Sequence, residues 1–149
     1  MGTRSTYRII EKYRDEKGKT VTEPLTLVYF QYDGYPSGHP METAEWLATA
    51  KVVNGFSMPT ENEEPPLVFN GAGCLAAQFI AKYKAGVGGV YIHTLSSRGK
   101  SWEDYLYDII VDADTKEIEY VCYENDGGRS PKFRGTPKDF VKHFQKQEA

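Results

Sequence analysis

The chain has 149 residues, with 18 Lys and Arg against 21 Asp and Glu for a formal net charge of -3, so it has no general attraction for nucleic acid or an anionic membrane. At 40% apolar and 26% charged it has the balance of a folded chain, and its length points to one domain over residues 1–149. No apolar run approaches the roughly 20 residues of a membrane helix, and Met1 to Ser5 carry no apolar leader, so a cytoplasmic protein is expected.

Thr6 to Tyr13, branched and aromatic at its centre, predicts a first strand, and Asp15-Glu16-Lys17-Gly18-Lys19 a turn. Leu25 to Gln31 predicts a second strand, entered through Pro24, where a lost donor is tolerated. The two make a long hairpin, and antiparallel pairing then brings Arg4 and Ser5 beside Tyr32 and Asp33. Ala44, Leu47, Ala48 and Lys51, with Trp46, recur at helical spacing from Met41 to about Val53, and Asn54-Gly55 supplies a stop. Ser57 to Pro66 reads as a polar loop. Leu75, Ala76, Phe79, Ile80 and Tyr83 share one face of a second helix from Gly73 or Cys74 to Lys84.

Val87 to Leu95, Tyr105 to Val111 and Glu117 to Tyr123 predict three further strands, expected to form an antiparallel meander. Thr136 is placed to cap a last helix that begins at Pro137 and carries Phe140, Val141 and Phe144 on its apolar side. The order β-β-α-α-β-β-β-α favours an α+β fold, a single mainly antiparallel sheet with helices over one face.

The most distinctive local pattern is Tyr32-Asp33-Gly34-Tyr35-Pro36, directly after an apolar strand. Asp before Gly is explained by a turn; equally, its carboxylate can orient a ligand hydroxyl or pair with Arg4, with Tyr32 and Tyr35 flanking it. Asn70-Gly71-Ala72-Gly73 opens the second helix and can expose backbone N–H groups to an anion, although it lacks the Lys-Ser/Thr of a phosphate-binding loop. Arg4, Arg98 and Lys100 could supplement it. Tyr105 and Tyr107 alternate onto one sheet face, as core or as a stacking platform. Arg129, Lys132 and Arg134 make a local positive patch, and Glu61, Glu63 and Glu64 read as solvated loop charge.

His39 is expected at the surface ahead of the first helix, His93 in a strand, and His143 on the last helix; three separated histidines and two distant cysteines, Cys74 and Cys122, specify no metal site. No cofactor is expected. A cysteine at a helix start, such as Cys74, can have a lowered thiol pKa, but small-residue packing explains it as well.

The opening Met1-Gly2-Thr3-Arg4-Ser5, the Asp33-Gly34-Tyr35-Pro36 turn and Asn70-Gly71-Ala72-Gly73 together resemble a group of small uncharacterised phage and bacterial proteins. In that group the opening reads Ser-Thr-Arg-Ser and the turn His/Gln-aromatic-Asp-Gly-Tyr-Pro. Gly2 here replaces the usual serine, and Gln31-Tyr32 takes the polar-aromatic place. The resemblance covers mainly the first half of the chain and implies phage origin, hence a host cytoplasm and an accessory role against host defence, without implying an activity.

Three functional readings follow. The first is non-enzymatic binding of a small polar or phosphorylated ligand, such as a nucleotide, framed by Arg4, Tyr32, Asp33, Tyr35, Asn70, Gly71 and Gly73, with Tyr105 and Arg134 as further contacts. The second is a protein-interaction module acting on a host protein, and a homo-oligomer could place a ligand at its seam. The third is a small hydrolase or transferase with His39 or His93 as base, oriented by Asp33.

Overall fold

A computed structural model describes residues 2–54, 67–126 and 130–148. The expected Ser57 to Pro66 loop with Glu61, Glu63 and Glu64 falls outside the described residues, as do Gly55 and Arg129. The first two strands form as a hairpin, β1 (Ser5–Arg14) and β2 (Thr20–Phe30). Between Ile9 and Ile10 the register slips, so that Ile9 faces Thr26 and Ile10 faces Pro24, leaving Leu25 as the extra residue of a bulge. Pro24 costs no ladder bond on its outer side, because the next strand reaches only Leu27 to Phe30.

Helix α1 (His39–Ala48) is shorter than its periodicity suggests. Residues Lys51–Val53 leave it as β3, which pairs in parallel with β4 (Val68–Asn70) in a two-stranded sheet. Val52 and Phe69, both buried, draw this pair onto the core. Helix α2 (Gly71–Tyr83) follows at once; then come β5 (Val90–His93), a single 3-10 turn at Leu95–Ser97, β6 (Tyr105–Asp112), β7 (Ile118–Glu124), β8 (Phe133–Gly135) and α3 (Pro137–Glu148). The Thr136 hydroxyl accepts the Asp139 N–H at 3.1 Å, the expected cap.

The main sheet has six strands in the order β5-β2-β1-β6-β7-β8. This corrects the meander. β5 pairs with β2, whereas β6 pairs with β1 in parallel and only β6 and β7 are antiparallel neighbours. The hairpin lies between them: β1 pairs with β2 along one edge and with β6 along the other, and residues 94–104 are long enough to cross the sheet face from β5 to β6. The fold is α+β, with helices on one face of a mostly antiparallel sheet. That face contributes Tyr7, Ile9, Val28, Phe30, Tyr107, Ile109, Tyr120 and Cys122, and the helices contribute Ala44, Leu47, Leu75, Phe79, Phe140 and Phe144 to the same cluster. Each large side chain withdrawn from water here contributes about 1.5–3 kcal/mol.

The opposite face is held differently. Asp108, next to buried Ile109, is itself buried and receives Arg8 Nε at 3.0 Å and Nη2 at 2.9 Å, with Arg98 Nη2 at 3.3 Å from the crossing segment. Glu103, also buried, accepts the N–H groups of Gly99 and Ser101 and the Thr6 hydroxyl. Two buried carboxylates thus fasten residues 94–104 across the sheet, each with the donors that a buried charge requires.

Candidate functional site: the Tyr32 to Pro36 sheet end

Antiparallel pairing carries the chain from Phe30, opposite Ser5, into Gln31, whose N–H donates to Gly89 O. The next residues turn sharply. Asp33 takes φ 52, in the left-handed region that Asp tolerates better than most residues. Gly34 N–H returns to Thr3 O at 2.9 Å, so the start of β1 and the end of β2 meet as the hairpin register requires. Gly34 is glycine through close approach: a Cβ there would sit 2.6 Å from the Ser5 side chain. Gly38 is tighter still, since its Cβ would meet Asp33 O at 2.2 Å.

Below the turn stands a set of buried tyrosines that explains much of the tyrosine content. Tyr107 Oη donates to Gly34 O at 2.7 Å, and Tyr120 Oη donates to Pro40 O at 3.0 Å. Tyr83 Oη lies 2.7 Å from Thr43 Oγ1 and donates to His39 O at 3.4 Å. Tyr7 Oη lies 2.7 Å from His39 Nδ1, while His39 Nε2 lies 2.8 Å from Tyr32 O. A carbonyl can only accept, so Nε2 carries the proton and Nδ1 accepts the Tyr7 hydroxyl. Segment 32–40 is therefore anchored through its carbonyls by side chains from β6, β7 and α2 and by its own His39, whose ring is held in turn by Tyr7 of β1.

His39 is not at the surface as expected; only 6% of it is exposed. It opens α1, with Pro40 next in the first turn, and its ring stacks on Phe30 at 4.2 Å between centroids. Burial lowers its pKa from 6.5 to about 4, against the smaller opposing effect of the Tyr32 carbonyl. The imidazole is neutral at pH 7 with both nitrogens occupied. Burial likewise raises Tyr7, Tyr107 and Tyr120 far above the usual tyrosine range, so all three hydroxyls stay protonated as donors.

Above this platform Tyr32 and Tyr35 are 43% and 40% exposed and bracket Asp33. The Asp33 carboxylate meets the Tyr35 hydroxyl at 3.5 Å, a long contact, and among the described residues it forms no ion pair. Arg4 lies at the same sheet end, its N–H held by Asp104 Oδ2 at 3.2 Å and its carbonyl by Asp104 N–H at 2.8 Å, but its guanidinium does not pair with Asp33. Tyr105 starts the neighbouring strand opposite Ser5 and stacks on the fully buried Tyr107, which is core and not platform.

The other expected contacts lie elsewhere. Asn70, Gly71 and Gly73 open α2, whereas Tyr83 at its far end is the residue that reaches His39; twelve residues at 1.5 Å put the two ends about 18 Å apart. One cleft does not hold both groups. Arg134 is on β8, at the sheet edge, 3.7 Å from Glu119. His93 stacks on Tyr29 at 4.5 Å with Ser101 Oγ 3.3 Å from its Nδ1. Cys74 Sγ accepts from Gln78 Nε2, and burial pushes the Cys122 thiol up to about 12. Among the described residues no group of three or more His, Cys, Asp or Glu is placed to hold a metal, and no helix is long and apolar enough to cross a membrane.

Sequence reasoning passed over Asp108 and Glu103, although an acid between Tyr107 and Ile109 in a buried strand signals a paired charge. In the structure Trp102 is 84% exposed with φ 63, a conformation rare for a bulky residue, and it stands two positions before Asp104. A cavity of about 220 Å³, bordered by Lys12, Asp112, Glu119, Thr136 and Asp139, lies at the opposite end of the sheet from Asp33. A scan against family models finds no match, and searches of curated proteins and of solved structures likewise return none.

Proposed function

We propose that the chain is a non-enzymatic binding protein that docks a protein partner through the Tyr32-Asp33-Tyr35 sheet end. The observation that carries this reading is an exposed carboxylate, without an ion pair among the described residues, between two half-exposed tyrosines on a segment immobilised from below. Pre-ordered aromatics lose little entropy on contact, and interface centres favour tyrosine over flexible charge. Asp33 between two rings suits a cationic side chain, which gains both the carboxylate and the ring faces. Of the two histidines that the enzymatic reading offers as base, His39 is occupied in holding the turn, and His93 stacks on Tyr29 with Ser101 Oγ 3.3 Å from its Nδ1.

Affinity capture from host cytosol with the wild-type chain, Asp33→Asn and Tyr35→Ala as parallel baits tests this. A protein retained by the wild type and lost with both variants supports docking at this end; identical retention by all three contradicts it. A second reading, capture of a small phosphorylated ligand or nucleotide, is favoured at α2 alone, because Gly71, at φ +83, and Gly73 have open space where a side chain would stand. Phosphate would not share the Asp33 site, where the carboxylate repels it. Calorimetry with a nucleotide panel checks that reading, and heat unchanged by Gly71→Ala counts against it. A phage accessory role is part of this proposal through sequence resemblance alone.

A further inference from the structure

We infer that the partner at this sheet end is a second copy of the chain, with Arg4 of each copy received by Asp33 of the other. The inference rests on the docking reading above and names its occupant. Thr3 and Gly34 are joined by a backbone hydrogen bond, and Arg4 and Asp33 are the residues next to that bond on the two segments. Opposite charges thus stand at the same end of two paired segments without pairing with each other. Among the described residues the Arg4 guanidinium makes no ion pair or hydrogen bond, and the Asp33 carboxylate has only the long Tyr35 contact.

A surface carrying one unpaired cation and one unpaired anion side by side is complementary to itself. In a two-fold contact, residue i meets j while j meets i, so two copies of such a surface form the Arg4–Asp33 pair twice and satisfy every charge once. The uncharged part of the surface suits the same use. Tyr32 and Tyr35 flank Asp33, and Trp102 stands two positions before Asp104, which binds both the N–H and the carbonyl of Arg4. The backbone around Trp102 is held in a hydrogen-bonded frame: the Glu103 carboxylate accepts the Gly99 and Ser101 N–H groups that precede Trp102, and Asn125 Nδ2 donates to Gly99 O and Glu103 O. An aromatic side chain fixed at positive φ and exposed to water is pre-ordered for burial against a partner.

The other edges of the molecule are less suited to self-association. The free side of β5 is blunted by Lys84, whose Nζ donates to Gly88 O and Val90 O, a common device against strand addition. The cavity near Asp139 is lined with several carboxylates and would repel its own copy.

Sedimentation velocity over a concentration series, with variants of both charges, tests the inference. The wild type is expected to self-associate, less so at high salt. Arg4→Asp and Asp33→Arg each place like charges opposite one another and should weaken self-association at least about tenfold, as should Asp33→Asn, which keeps a residue tolerant of positive φ. An equimolar mixture of Arg4→Asp with Asp33→Arg is expected to associate again, because each chain then supplies the charge that the other requires. Thermal melts confirm that each variant is folded. Wild-type protein that stays monomeric at every concentration overturns the inference, as does a mixture no tighter than its components. If such a monomer still captures a partner that Asp33→Asn loses, docking at this end stands and self-association falls.

Discussion

Burial of a neutral imidazole at position 39 makes stability depend on pH in a defined window. The unfolded chain titrates this histidine at its ordinary 6.5, whereas the folded chain does so at about 4. Between these values the unfolded state binds a proton that the folded state refuses, so stability falls as pH is lowered. At about 1.4 kcal/mol per pH unit, the difference amounts to about 3 kcal/mol, fully present above pH 6.5 and lost by pH 4. Tyr7 and Tyr83, which meet the ring and the backbone of His39, are both raised by burial and stay neutral throughout. Urea unfolding of wild type and His39→Gln at steps from pH 7.5 to 4 isolates the contribution. The variant should be less stable at pH 7.5 and should lack the wild type's additional loss between 6.5 and 4. Parallel curves for the two proteins through that window would refute both the buried neutral ring and its role under the turn.

Other consequences can be measured on the same footing. Tyr107→Phe leaves the Gly34 carbonyl unpaired beneath the turn and should cost about 1–3 kcal/mol by chemical denaturation. Gly38→Ala drives a methyl group into the Asp33 carbonyl and should lower stability by about 1–3 kcal/mol, with the largest loss of amide-exchange protection at residues 33–39. Asp108→Ala strips two arginines of their shared carboxylate and should cost about 3 kcal/mol, toward the low end for a buried pair because both arginines keep some contact with water. Loosening of residues 94–104 in that variant should appear as a change in Trp102 fluorescence.

Elements with a strong local signal were legible in the sequence. The β1-β2 hairpin, the α2 face from Leu75 to Tyr83 and the Thr136 cap each depend on residues within a few positions of one another. The hairpin alone sufficed to bring Arg4 toward Asp33. What was not legible depends on distant pairing. The insertion of β1 and β2 between β5 and β6 rests on pairing such as that of Ser5 with Tyr105, 100 positions away, which no window around β5 or β6 reports. β3, β4 and β8 have three residues each, too few to show a period. His39 was misplaced because nothing near it in sequence announces the Tyr7 hydroxyl, 32 positions away, that its ring receives. Asn70 and Asp33 were grouped by their shared turn chemistry, and only the run of α2 between them shows that they lie at opposite ends.

The central claim, docking through the Tyr32 to Pro36 sheet end, is tested most directly by a photo-crosslinking amino acid placed at position 35, with the exposed Lys138 on α3 as the control position. Crosslinking in a cell lysate is predicted to give a discrete adduct from position 35, weakened by Asp33→Asn, and none of comparable yield from position 138. Equal adducts from both positions, or an adduct at 35 that is indifferent to Asp33, would contradict the account.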